Sequence, residues 1–554
     1  MQSGAEVQFC PTERSMKAYT IERAFGLALI MMLAASAGAS TEPVEIKISQ
    51  GTLVGRAESG VQRFLGIPFA RPPVGERRFR SPESASPWTG KRDASDFMPR
   101  CAQRQFTKPG SRHAGSEDCL YLNITRPDLA TTDLPVLVWI HGGGRRVGDG
   151  RRDVGAFVRA TDSLVVSIQY RLDQLAFLAH PALSAEDPMR LASGNYGFED
   201  AIEALRWIQN EIHRFGGDPG NVTIAGNSGG GTMVCGLLAS PRAAGLFHRG
   251  IIQSAGSCWF PTDPIESAEA RGTLIASEMR CDETSTITDC LRSQPIDSLL
   301  DARAAAFNPF DSGTVEWYAA QPMLGARNGH IVDGFVFPRS LPDAFAAGTF
   351  HRVPLMISIT EHEGRAIYGE LLYSMGAEKL KRADYERALS GLLGSPDFGR
   401  RAAEMFPAGD APAERFADIA TDVHYTCPHV EMAAATSRFA PTWLYQFRVR
   451  GPRESTRIEL GSYHGVDTEL LFGPILDEYN EEQAIAAKRL RDYVANFMRS
   501  GDPNHEGALH WPRYTAASDA EYLEFMAEPQ VSKGLREKAC RIHRTLNWPP
   551  RIIR

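Results

Sequence analysis

Between Thr223 and Gly231 the chain reads TIAGNSGGG, which sets a serine among glycines in the order Gly226-Asn227-Ser228-Gly229-Gly230. A β-rich run enters this pentapeptide and a helix-compatible segment leaves it, the setting in which a serine hydroxyl is held out as a nucleophile. Glycines on either side let the backbone turn sharply and hold the serine in a strained conformation. Gly229 then opens a helix, where its N–H and the helix dipole favour negative charge. An ordinary glycine-rich turn is the competing reading of the pentapeptide alone. Upstream, VLVWIHGGG carries an apolar run into His141-Gly142-Gly143-Gly144. Residues without side chains permit close backbone approach, so the N–H groups of Gly143 and Gly144 are candidates to bind a carbonyl oxygen as it becomes an oxyanion. A phosphate-cradling loop is disfavoured because no G-K-[ST] follows.

Such groups need a rigid frame. LPVLVWI (134–140), SLVVSIQY (163–170), NVTIAG (221–226), GIIQS (250–254), VPLMISI (353–359) and TWLYQFRV (442–449) are continuously rather than alternately apolar. That pattern predicts strands covered on both faces, hence a mostly parallel sheet flanked by helices. Between two of these runs, Ile202, Leu205, Ile208 and Ile212 recur at helical spacing and end at Gly216-Gly217. The stretches 261–352 and 365–438 lose this regularity. They are expected to lay helices over the sheet and wall a substrate gorge.

With 43% hydrophobic and 23% charged residues among 554, the chain has apolar content for a large core and no signature of disorder. A formal net charge of -7 argues against nucleic acid as a partner. Lys17 and Arg23 precede an apolar run from Ala24 to Ala35 that ends in Ala37-Gly38-Ala39. This is the pattern of a secretory signal, with Met16 as an alternative start and a mature chain from about Ser40. The run is shorter than the roughly 20 residues a spanning helix needs, so no stable membrane insertion is expected after cleavage. The remainder, 40–554, is expected to form a single domain.

The agreement extends well beyond two motifs. FLGIPFARPPVGERRF (64–79), SEDCLYLNI (116–124), HGGG, NYGFEDAIEALRWIQNEIHRFGGDPGNVTIAGNSGGG (195–231), DCLRSQP (289–295), EHEG (361–364), YHGVDTELLFG (463–473) and GDPN (501–504) follow one another in a familiar order. In these stretches, which cover nearly all of the mature chain, it resembles the type-B carboxylesterases, the cholinesterase-like family of α/β-hydrolases. The resemblance implies an α/β-hydrolase fold and a triad of Ser228, Glu363 and His464, in which His464 deprotonates Ser228 and Glu363 orients the imidazole. It implies an oxyanion hole of Gly143, Gly144 and Gly229, a small-molecule ester as substrate, and no metal or organic cofactor. Nine cysteines are present, and disulfides persist where exported proteins fold. Local context together with the resemblance pairs Cys101 with Cys119, Cys281 with Cys290 and Cys427 with Cys540. Cys235 and Cys258 are left over, and Cys235 reads as a small buried apolar residue.

Several positions depart from the family pattern. Asn227 replaces the usual acid before the nucleophile, Gly229 the usual alanine after it, and Arg145 an aromatic after the oxyanion glycines. The loop between Cys101 and Cys119 has Phe106 as its only aromatic, beside Arg104, Lys108 and Arg112, so a choline ester is not the expected substrate. Trp259 is a candidate for an acyl pocket, with core packing as the alternative. Arg146, Arg151 and Arg152 are expected to pair with Asp149 or Asp153 on a solvated rim, whereas Arg145 is a candidate to bind a substrate carboxylate. The sequons at Asn123 and Asn221 fall on strands predicted to lie in the core. An intact triad favours an enzyme over the silent adhesion proteins that share the fold; a lipase or amidase remains the alternative activity, and the natural ester and the oligomeric state stay open.

Overall fold

The computed structural model describes residues 42–545 apart from 105–112, 129–130, 261, 283–285, 303–329, 370–381, 394, 456–457, 474–478 and 518–519. The leader, together with Phe106, Lys108 and Arg112, lies outside the described residues. Twelve strands form one path: β1 (Glu42–Ile48), β2 (Gly51–Glu58), β3 (Val61–Pro68), β4 (Tyr121–Pro127), β5 (Leu134–Ile140), β6 (Leu164–Ile168), β7 (Gly217–Asn227), β8 (Arg249–Gln253), β9 (Leu355–Thr360), β10 (Thr442–Phe447), β11 (Glu521–Phe525) and β12 (Gln530–Lys533). Their spatial order is β1-β2-β3-β4-β6-β5-β7-β8-β9-β10-β11-β12, with a short strand, Lys91–Asp93, beside β2. From β6 to β11 every neighbour is parallel, and β3, β4 and β6 are joined antiparallel on one side. The mostly parallel α/β-hydrolase sheet is thus present.

The two sides of this sheet explain its apolar runs. All seven residues of β5 are buried. Val136, Val138 and Ile140 enter one core with Leu205, Ile208, Met233 and Leu237, whereas Leu137 and Trp139 enter another with Leu490, Val494 and Phe497. The first core is covered by α1 (Tyr196–Glu211) and α2 (Gly229–Ala239), the second by α3 (Glu481–Ser500). Burial on alternate faces leaves no position for a polar residue, which is why the period-two signal is absent. The sequon Asn123 is buried in β4, where its amide bonds Gly66 N and Ser167 Oγ. Asn221 is only half-buried, contrary to its expected core placement, and its oxygen accepts from Arg249.

Four disulfides are formed: Cys101–Cys119, Cys235–Cys258, Cys281–Cys290 and Cys427–Cys540. Cys235 is therefore not the inert buried thiol expected from its helix. Cys258 lies in a 3-10 turn, Gly256–Trp259, that follows β8, and packing brings this turn under α2. The bridge ties the helix behind Ser228 to the strand beside it.

Candidate active site

Ser228 stands between the end of β7 and the start of α2 with φ 57 and ψ -122. A side chain at such a φ costs about 1–3 kcal/mol, so the surroundings must impose it. They do so through two bonds: Ser228 N donates to Gln253 O at 2.8 Å, and Thr232 N donates to Ser228 O at 3.0 Å. Sterics require the flanking glycines. A Cβ on Gly230 would sit 2.0 Å from Ile140 O, and one on Gly226 would sit 2.4 Å from Gly230 C.

The loop after β5 lies directly against this elbow. Gly143, Gly144 and Arg145 all have positive φ, at 97, 64 and 60. Gly143 O accepts from Arg146 N and Val147 N, each at 3.1 Å, closing a tight turn. A Cβ on Gly229 would come within 2.8 Å of both Gly144 N and Arg145 N. Glycine in place of the family's alanine thus lets the loop close onto the first residue of α2. His141 anchors the loop's root: it stacks on Tyr170 with centroids 4.5 Å apart, and Tyr170 OH donates to His141 O at 2.8 Å. Gln103, in the arm carrying Cys101, exchanges two bonds with Gly148, Nε2 to Gly148 O at 2.8 Å and Gly148 N to Oε1 at 2.9 Å.

The candidate acid and base come from the turn after β9 and from the longer loop after β10. Glu363 follows β9, is fully buried, and accepts from Thr360 N at 2.8 Å through Oε1. Its Oε2 bonds His464 Nδ1. Burial alone raises the Glu363 pKa, but the neighbouring His464 with its hydrogen bond, together with the Thr360 amide, holds it below the usual glutamate value. Glu361, the rival acid in EHEG, turns instead to Arg448, 2.9 Å away. The loop bearing His464 is fixed to that of Glu363 by His362, whose N donates to Ser462 O at 2.9 Å. With a carboxylate on Nδ1, the Nε2 of His464 is the nitrogen left to act as a base.

Ser228 and His464 face one cavity of about 410 Å³, with Gly143, Gly144, Arg145, Asn227 and Gly229 also in its wall. The rest of the wall includes Phe260, Ile367, Tyr368, His424 and Tyr425. Sequence periodicity did not single out these five. Ile367 and Tyr368 belong to one π-helical segment, Arg365–Gly369, and His424 and Tyr425 to another, Asp422–Thr426. Such widened turns break the spacing by which a helix face is recognised. The second irregular stretch does wall the cavity, but no described residue of 261–352 lines it. Trp259 is not among the lining residues either; it packs against the central core, and its neighbour Phe260 takes the wall position. The amide Nδ2 of Asn227 is buried and meets no hydrogen-bond acceptor.

The arginines after the glycines separate. Arg151 pairs with Asp149 at 3.0 Å, as expected, but Arg146 turns to Asp173 at 3.6 Å. Arg152 lies 5.9 Å over Trp139 and 5.7 Å over Phe472, and Asp153 pairs with Arg63 at 2.8 Å. Arg145 is only 2% exposed, and burial draws its pKa down to about 10, so it stays charged at neutral pH.

Burial has a measurable consequence elsewhere. It lowers His141 and His429 from 6.5 to about 4 and His330 to about 3, where the Arg145 charge adds to it. Between these values and 6.5 the unfolded chain binds more protons, so stability falls as pH drops through that window, by on the order of 3 kcal/mol per histidine. Asp467, raised to about 6 by burial and then by Glu363, works in the opposite sense between 3.8 and 6 and offsets about one histidine. Urea unfolding at a series of pH values is therefore expected to show the midpoint falling between pH 6.5 and 4. A flat profile would contradict the buried neutral histidines.

Among the described residues no group of three or more His, Cys, Asp or Glu is placed to hold a metal ion, and no helix is long and apolar enough to cross a membrane. The carboxylesterase family matches residues 42–543. The chain is 33% identical over 564 residues to carboxylesterase 1D of Rattus norvegicus, covering 93% of this chain and 95% of that one. It is 32% identical over 512 residues to cocaine esterase of Oryctolagus cuniculus, covering 87% and 90%, and 32% identical over 522 residues to acylcarnitine hydrolase of Mus musculus, covering 88% and 87%. Matched along nearly its whole described length, the chain belongs to the carboxylesterase family, serine hydrolases of carboxylic esters.

Proposed function

We propose that the protein is an exported serine esterase whose triad is Ser228, Glu363 and His464 and whose preferred esters carry a carboxylate. The observation carrying the catalytic assignment is His464, bonded to the buried Glu363 and facing the same cavity as a serine in strained backbone. His464 takes the Ser228 proton as the oxygen adds to the ester carbonyl, and Glu363 stabilises the imidazolium. The N–H groups of Gly143, Gly144 and Gly229 receive the oxyanion, each such donor being worth about 100- to 1,000-fold in turnover. Collapse of the tetrahedral adduct passes the His464 proton to the leaving alcohol. Water, deprotonated by the same histidine, then adds to the acyl-enzyme and frees the acid and Ser228.

The specificity reading rests on Arg145, a buried guanidinium in the cavity wall beside the oxyanion glycines, and on Asn227, which offers an amide where the family has a negative charge. A guanidinium in low dielectric favours a carboxylate partner. In a panel of neutral, cationic and carboxylate-bearing esters, Arg145→Leu is expected to lower kcat/KM for the carboxylate-bearing members by about tenfold or more relative to the neutral ones. Equal losses across the panel would refute the assignment. Faster cleavage of amides, or a jump in rate at an oil surface, would favour the amidase or lipase reading.

Export is supported by the leader pattern and by four disulfides, which persist in oxidising compartments. Amino-terminal sequencing of the exported chain is expected to start at or next to Ser40. A chain retaining the apolar run would contradict cleavage.

A further inference from the structure

A second cavity, of about 310 Å³, lies outside the catalytic one and shares none of its lining residues. Its wall is almost entirely polar. Four carboxylates, Glu361, Asp418, Asp422 and Glu524, face two guanidinium groups, Arg448 and Arg536, and Arg365 behind the wall lies 3.5 Å from Asp418, so one negative charge remains in excess. The guanidiniums are already engaged. Arg448 lies 2.9 Å from Glu361 and 3.0 Å from Glu524, and Arg536 grips Asp422 with two nitrogens, Nε to Oδ1 at 2.8 Å. An anion would therefore have to displace an existing ion pair. His362, also in the wall, has its pKa lowered, first by burial and then by the Arg365 charge, and adds no positive charge at neutral pH.

An acidic wall alone is not a site, but a buried hydroxyl in it lacks a partner. Thr426 is 1% exposed, and its hydroxyl makes no hydrogen bond, although a helical threonine ordinarily bonds a carbonyl one turn back. Gln446, in β10, is 7% exposed and adds its amide to the same wall. A buried hydroxyl left unsatisfied is costly, and a ligand with a matching group recovers that cost. The carboxylates come from separate segments, and no three of them are grouped to chelate a metal ion. Each arginine-bound carboxylate keeps lone pairs that can accept only from a donor.

We propose that this cavity binds a small organic cation rich in N–H donors, of the linear polyamine class. Its ammonium groups meet the carboxylate lone pairs, and Thr426 and Gln446 complete the donor and acceptor set between them. The site is one wall away from the reaction: Glu361 and His362 immediately precede Glu363, and the segment Asp422–Thr426 turns Asp422 and Thr426 to this cavity and His424 and Tyr425 to the catalytic one.

Calorimetric titration of the full chain with spermidine tests the assignment, with 1,8-octanediol as a neutral rod of similar length. The expected result is saturable uptake of one spermidine per chain, undiminished by the diol. Gln446→Leu is expected to weaken it by about tenfold, as for loss of a charge-assisted hydrogen bond, and Thr426→Val to weaken it in the same direction. Unchanged ester turnover in Gln446→Leu establishes that this variant is folded. Absence of saturable uptake, displacement by the diol, or full spermidine affinity in Gln446→Leu would overturn the proposal. Inhibition competitive with ester and insensitive to Gln446→Leu would also overturn it, by locating spermidine in the catalytic cavity.

Discussion

Alanine at position 228 is expected to lower kcat for carboxylic esters by about a millionfold, to the residual rate that binding and an oxyanion hole supply without a nucleophile. The effect is large because the hydroxyl is where the bond forms, and no other wall group stands in the same place. Thr232 and Ser257 are also in the wall, but their hydroxyls bond each other at 2.6 Å. They sit on α2 and on the turn after β8 rather than at the elbow, away from the position that the positive φ of Ser228 presents. Steady-state assays with p-nitrophenyl esters check this, and undiminished cleavage would remove Ser228 from the mechanism. The fold should survive the change, because the two bonds holding the elbow use Ser228 backbone atoms.

Glutamine at position 363 is expected to reduce kcat by about ten-thousandfold with a much smaller change in KM. Oε1 holds the Thr360 amide and Oε2 holds His464 Nδ1, so the carboxylate both fixes the ring and balances its charge. An amide keeps the shape but loses that charge. If its NH2 faces Nδ1, the imidazole must carry its proton on Nε2, where it can no longer accept from Ser228. The position is fully buried, so solvent cannot supply the missing charge. A variant with nearly wild-type kcat would mean that the Glu363–His464 pair is structural.

The elbow and the tight glycine loop after β5 were legible in the sequence because both depend on backbone, and backbone demands appear as glycines. Gly230 and Gly226 are glycines since a methyl at either would strike main-chain atoms. The strands were legible for a related reason, since a run buried on both faces admits no polar residue. Selecting Glu363 over Glu361 needed the resemblance, because adjacent positions in one loop differ only in direction: one meets His464 and the other Arg448. What stayed hidden arises from packing of irregular segments. The Cys235–Cys258 bridge joins a helix to a 3-10 turn with no periodic link between them, and the swap of Trp259 for Phe260 in the cavity wall turns on that same short turn. The burial of Arg145 was equally unreadable from a loop that looks like a charged rim. Its positive φ turns it away from the course of Arg151, whose partner Asp149 is two residues off.

In the proposed mechanism Ser228, activated by His464, attacks the ester carbonyl. Its most direct test is active-site labelling with diisopropyl fluorophosphate, which reacts with an activated serine, followed by peptide mass spectrometry. One label per chain is expected, on the peptide containing Ser228, with activity lost in proportion to labelling. In a His464→Ala chain labelling is expected to all but disappear. Label on a different residue, or full activity in a chain labelled at Ser228, would contradict that mechanism.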